Sequence, residues 1–155
     1  SKLASGICDV QKMSNMGINL AVGTDGPSSN NALDIFREMY LISVLQKLKY
    51  NDAAAMDANE ILKAATSGSA KCMGLTDCDC IAEGKLADLM IIDLERPNMQ
   101  PINNITKNLV YSGSKDDVKM TMINGKILYE NGEFVNIDKE EIYAKAQEIC
   151  NRLKN

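Results

Sequence analysis

With 155 residues, 45% of them hydrophobic and 25% charged, the chain is long enough for one ordinary domain and too apolar to remain disordered. A net charge of −4 argues against a nucleic-acid footprint or a polybasic membrane surface. No apolar run approaches the ~20 residues of a membrane span, and nothing at the start resembles a secretion signal, so a cytoplasmic protein is expected.

The first residues, Ser1-Lys2-Leu3-Ala4-Ser5-Gly6, carry neither an initiator methionine nor a cap and read as the middle of a longer protein. Asp9 is placed to cap a short helix with Val10, Met13 and Met16 on one side, and Gly17 to end it. The apolar run 18–22 then predicts a buried strand that delivers Asp25 at its carboxyl end, among the small residues Gly23, Gly26, Ser28 and Ser29. In parallel α/β folds that edge is where chemistry is done. Histidine is absent, so Asp25 works without an imidazole from this polypeptide.

A helix is expected from about 33 to 49, capped by Asn30 or Asn31, with Leu33, Phe36, Tyr40, Leu41, Val44, Leu45 and Leu48 as a broad buried stripe. A third helix opens at Asp57, with Glu60 at the spacing of a capping box. It carries Ile61, Leu62, Ala65 and Cys72 at helical spacing and closes at Gly74.

From about 76 to 136 the pattern changes to short strands and turns. The run 89–92 reads as a fully buried strand. Segments 118–123 and 126–129 flank Asn124-Gly125, a two-residue hairpin signal that Asn131-Gly132 repeats before Phe134 and Val135. Asp138 starts a terminal helix expected to turn Ile142, Tyr143, Ala146, Ile149, Cys150 and Leu153 inward. The nine methionines, among them Met13, Met16, Met90, Met120 and Met122, read as core filler. Cys8, Cys72, Cys78, Cys80 and Cys150 form no disulfide framework, and Cys78-x-Cys80 lacks the second ligand pair of a structural zinc site. Three portions result: 1–75, 76–136 and 137–155.

These residues carry a family resemblance. The opening six residues, the run Gly17-Ile18-Asn19-Leu20-Ala21-Val22-Gly23-Thr24-Asp25-Gly26 and its continuation Ser29-Asn30-Asn31-Ala32-Leu33-Asp34 resemble the metal-dependent amidohydrolases. They are most similar to the 5-methylthioadenosine/S-adenosylhomocysteine deaminases. Glu83-Gly84-Lys85-Leu86-Ala87-Asp88-Leu89 resembles the turn and strand by which such chains leave the barrel, and Met122-Ile123-Asn124-Gly125-Lys126 resembles a late sandwich hairpin.

The resemblance implies an α/β fold, the carboxyl-terminal part of a (β/α)8 metal-dependent hydrolase barrel. Residues 1–75 would be its last strand and helices, 76–136 part of a small β-sandwich, and 137–155 a docking helix. It implies one divalent metal, zinc or iron, held by four histidines from upstream and by an aspartate after the eighth strand, here Asp25. The implied reaction is hydrolytic deamination of an adenine-type nucleoside by metal-activated water, a step in which a carboxylate orients and deprotonates the nucleophile.

Asp25 is thus the implied metal ligand and catalytic carboxylate. Asp25, Ser28, Ser29 and Asn30 are candidate substrate contacts, although the last three equally suit helix capping. Taken alone, Thr24-Asp25-Gly26 is an ordinary turn. One carboxylate cannot hold a catalytic zinc, so this stretch by itself is expected to bind no metal tightly and to be inactive. Its lost neighbours predict self-association or a companion amino-terminal fragment. A guanine deaminase or chlorohydrolase of the same superfamily, or a non-enzymatic interaction module, are the alternatives.

Overall fold

Asp9 is placed as the sequence predicts. In a computed structural model that describes residues 3–154, its side chain caps α1, Val10–Asn15, by accepting from the Lys12 amide at 3.2 Å. The same carboxylate receives the Tyr50 hydroxyl at 2.5 Å and pairs with Lys49 at 3.1 Å. Led by the tyrosine hydrogen bond, these contacts hold Asp9 below its ordinary value. Helix α1 is thereby tied to the end of α2, Ile35–Tyr50.

The cap of α2 differs from expectation. It is Asp34, which accepts from the amides of Phe36 and Arg37 at 3.0 and 3.4 Å, while Asn30 and Asn31 lie in the preceding loop. The buried face is also rotated from the expected stripe. Phe36, Met39, Ser43 and Gln46 are buried, whereas Leu33, Tyr40 and Leu48 are exposed. Hydrogen bonding explains why polar residues are tolerated inside. Gln46 donates to the Cys8 carbonyl at 2.8 Å and accepts from the Gln11 amide at 3.2 Å, and Ser43 meets the Tyr111 hydroxyl at 3.1 Å.

The third helix is continuous but not uniform. It comprises α3, Ala58–Lys63, a π-helical turn, Ala64–Gly68, and α4, Ser69–Cys72, ending at Gly74 with φ +72°. Its cap is Asp57, but not as a capping box: Asp57 accepts from the Asn59 amide at 2.8 Å, while Glu60 receives the Ser14 hydroxyl at 3.4 Å. Helix α5, Ile105–Tyr111, was not expected. Asn104 caps it, and it packs on both α2 and α3 around Phe36, Ile61, Met99 and Val110.

Residues 18–22 form no strand. The Ile18 amide donates to the Met13 carbonyl at 3.1 Å, and the bonds of Asn19 and Val22 go to the third helix. Asn19 donates to the Gly68 carbonyl at 2.9 Å, and the Val22 amide donates to the Ser69 hydroxyl at 3.2 Å. A parallel strand takes its ladder from neighbours on either side, and none pairs with this run among the described residues.

By contact the chain forms two units, Ser1–Lys85 with Asp93–Val118, and Leu86–Ile92 with Lys119–Asn155. The second is built on a four-stranded sheet in the order β1, Leu89–Ile92; β2, Val118–Ile123; β3, Lys126–Glu130; β4, Glu133–Phe134. Both hairpin signals act as read. Asn124 and Gly125 take φ of 47° and 75°, Asn131 and Gly132 of 48° and 93°, the doubly positive pattern of a tight hairpin. Asp88 secures the first turn by accepting from the Asn124 amide at 2.7 Å, and Tyr129 and Phe134 face each other across the second with ring centroids 5.2 Å apart.

Two burial expectations fail here. Met90 and Ile91 of β1 are about half exposed. On α6, Lys139–Lys154, which Asp138 caps through the Glu141 amide at 3.0 Å, no residue is buried. Ile142, Tyr143, Ile149 and Leu153 do recur at helical spacing, but that stripe is exposed. Methionine is likewise divided: Met39, Met56, Met99 and Met120 are core, while Met13, Met16 and Met90 are exposed. None of the five cysteines is in a disulfide.

Candidate active site

Asp25 stands where residues 18–22 give way to the loop that climbs to Asp34. Its backbone takes φ +61°, a left-handed conformation that aspartate and asparagine tolerate better than most residues. That geometry lets the Gly26 amide donate back to Asp25 Oδ1 at 2.7 Å. The Ser29 hydroxyl and then the Gly26 amide hold the Asp25 carboxylate below its ordinary value, so it is ionised at neutral pH. The side chain is exposed, and a Cβ added at Gly23 or Gly26 would meet nothing within 4 Å. The approach to the carboxylate is open.

The loop after Asp25 is closed on itself. The carbonyl of Gly26 accepts from the Ser29 amide at 3.1 Å and the Asn30 amide at 2.9 Å, and the Ser29 hydroxyl, 3.0 Å from it, is shared between this carbonyl and the Asp25 carboxylate. Asn30 is held at both ends of its amide: Nδ2 donates to Glu38 Oε1 at 2.6 Å, and Oδ1 accepts from the Ala32 amide at 3.2 Å.

A cleft of about 350 Å³ opens here, lined by Asp25, Ser29, Asn30, Arg37 and Glu38 among others. That volume is at the small end of the range for small-molecule sites, roughly 300–1,000 Å³. Three of the four residues singled out from the sequence, Asp25, Ser29 and Asn30, line it together; Ser28 is exposed in the same turn and is not among the lining residues. Glu38 and Arg37 were missed. Their only sequence signal is position, in the first turn of a helix capped by Asp34.

The donor set bears on a metal. A catalytic zinc site needs about three protein ligands. Among the described residues no three His, Cys, Asp or Glu side chains approach one another closely enough to hold a metal ion. Asp25 contributes one oxygen donor, so the residues of this chain do not by themselves fit a catalytic metal. What they offer is an ionised, oriented carboxylate lining a small cleft.

Known proteins resemble the chain along nearly its whole length. The pattern of the "Amidohydrolase family" matches residues 1–128. The chain is 44% identical over 144 residues to the 5-methylthioadenosine/S-adenosylhomocysteine deaminase of Pyrococcus furiosus, covering 93% of this chain and 34% of that protein. It is 36% identical over 152 residues to the 5'-deoxyadenosine deaminase of Methanosarcina acetivorans, covering 98% and 35%. Among solved structures, an adenosine deaminase from Xanthomonas campestris with bound zinc superposes with a TM-score of 0.95 at 37% identity, covering 99% of this chain and 35% of that one. The chain thus spans about a third of the length of the curated relatives it matches.

Proposed function

The chain belongs to the amidohydrolase family, and from that premise we propose that it is the carboxyl-terminal part of a (β/α)8 hydrolase that deaminates adenine-type nucleosides. The substrates proposed are 5-methylthioadenosine and S-adenosylhomocysteine, with the inosine analogues and ammonia as products. Both names are borne by the P. furiosus relative, and the nucleoside class is shared by the two other proteins compared. The observation that carries the reading is Asp25, ionised and held in a left-handed turn lining the cleft, within the stretch that matches the family.

In this reading Asp25 is one donor to a divalent metal, zinc being the proposed ion. The remaining donors come from the two-thirds of the relatives' length that this chain does not span. When bound, such a metal supplies a nucleophilic water at neutral pH. The contribution of this chain is separate: a negative charge fixed in direction by the Gly26 amide, and a loop that Ser29 and Asn30 close. Ser28, Ser29 and Asn30 are the proposed substrate contacts.

A cytoplasmic location is part of the same proposal, and among the described residues no helix is long and apolar enough to cross a membrane. So is self-association or a companion amino-terminal segment, which the exposed Ile142 and Ile149 support.

The test is ammonia release from 5-methylthioadenosine and S-adenosylhomocysteine by the full-length protein, with residues 1–155 alone as comparison. Turnover is expected for the former and none for the latter. A full-length protein inert towards every adenine nucleoside would end the proposal.

A further inference from the structure

The geometry points to Glu38 as a positioning residue for Asp25, acting through Asn30 and the Gly26 carbonyl. The inference deepens the deaminase reading and rests on it for the catalytic role, though not for the structural linkage. Glu38 lies one turn into α2, a 16-residue helix whose face is buried at Phe36 and Met39, so its backbone is fixed by packing. Asp25 lies in an exposed loop, and the bonds of residues 18–22 to the third helix stop at Val22, three residues before it.

What ties the carboxylate to the rigid helix is a run of hydrogen bonds. Glu38 Oε1 accepts from Asn30 Nδ2 at 2.6 Å, the short distance of a charge-assisted bond. Asn30 donates its backbone amide to the Gly26 carbonyl at 2.9 Å, and the Gly26 amide donates to Asp25 Oδ1 at 2.7 Å. The orientation of the Asn30 amide is settled by chemistry: a carboxylate can only accept, and the Ala32 amide can only donate, so Nδ2 faces Glu38 and Oδ1 faces Ala32. Neither end can be reversed without losing both bonds. Removing the acceptor on α2 therefore frees the loop that orients the carboxylate, without touching the carboxylate itself.

A displaced catalytic group costs turnover rather than binding. A shift of about 1 Å is worth on the order of 100-fold in rate. In the full-length protein, Glu38→Ala is expected to lower kcat for 5-methylthioadenosine about 100-fold with KM within about twofold of wild type. Glu38→Gln keeps an acceptor oxygen at the same reach and should restore kcat to within about threefold of wild type, a rescue that general destabilisation would not give. A second variant, read by amide exchange and not by turnover, guards against misfolding of the first. Asn30→Asp sets two carboxylates against each other and should speed exchange at Gly26 and Ser29, whereas Asn30→Asp combined with Glu38→Gln recreates an amide-to-carboxylate bond in reverse and should restore the wild-type exchange.

Amide hydrogen exchange at Gly26, Ser29 and Asn30 gives a readout without substrate, expected to be about tenfold faster in Glu38→Ala and unchanged in Glu38→Gln. Unchanged kcat in a folded Glu38→Ala protein, a KM effect alone, or no recovery in the double variant would overturn the inference. If wild type itself deaminates nothing, the functional reading falls. The linkage then stands or falls on exchange: faster exchange in Glu38→Ala sustains it, and unaltered exchange ends it.

Discussion

Asp25→Asn in the full-length protein is expected to lower kcat/KM for 5-methylthioadenosine by about 1,000-fold, the middle of the range for losing a positioned acid–base group. Asparagine is the informative substitution. It matches aspartate in volume and shares its tolerance of φ +61°, so the backbone turn survives, whereas alanine would add strain at that position. One oxygen remains to accept the Gly26 amide that now lies 2.7 Å from Oδ1. What disappears is the charge and the capacity to take a proton. Because the side chain is exposed in this chain, the local fold should be nearly unaltered, and any fall in the melting temperature of the full-length protein reports the lost metal donor. Steady-state kinetics alongside a melting curve separates the two effects. A variant retaining a tenth or more of wild-type kcat/KM would remove Asp25 from the reaction.

Gly68→Ala is expected to destabilise the full-length protein by about 2 kcal/mol, within the usual range for overpacking. Gly68 is helical, with φ −64° and ψ −43°, so conformational freedom is not what it supplies. Helix propensity alone favours alanine there by about 1 kcal/mol. Space decides against it. A Cβ at this position would lie 2.4 Å from the Leu20 carbonyl oxygen and 3.0 Å from that of Lys63, both backbone atoms with no rotamer to yield. To relieve the clash, residues 18–22 must lift from the third helix. That stretches the bond from Asn19 to the Gly68 carbonyl and the bond from Val22 to Ser69. Asp25 follows three residues later, so activity should fall with stability. Urea unfolding with kinetics on the same sample checks both. A variant as stable as wild type would mean that this approach is looser than the geometry indicates.

The parts legible in the sequence are those governed by local chemistry. Asp9, Asp57 and Asp138 cap their helices because a short acceptor before an apolar periodic run has few other uses. Asn124-Gly125 and Asn131-Gly132 turn the hairpins because both positions need positive φ. The grouping of Asp25, Ser29 and Asn30 around one cleft follows from their closeness in sequence.

What was missed depends on contacts distant in sequence. Asn30 was read as a cap, yet Asp34 competes successfully because it adjoins the first helical residue. The inner face of α2 contains Ser43 and Gln46, whose partners Tyr111 and Cys8 are 68 and 38 residues away. The apolar patterns at 18–22 and along α6 exist, but the strand and the inward stripe expected from them do not form. Periodicity states which face is apolar, and only a neighbour makes that face buried.

The most direct measurement of the central claim is anomalous diffraction at the metal edge from crystals of the full-length protein. The account predicts one divalent ion with an Asp25 carboxylate oxygen about 2.0–2.2 Å away, the distance of a zinc-bound carboxylate. An ion bound elsewhere, with Asp25 still facing open solvent, would contradict it.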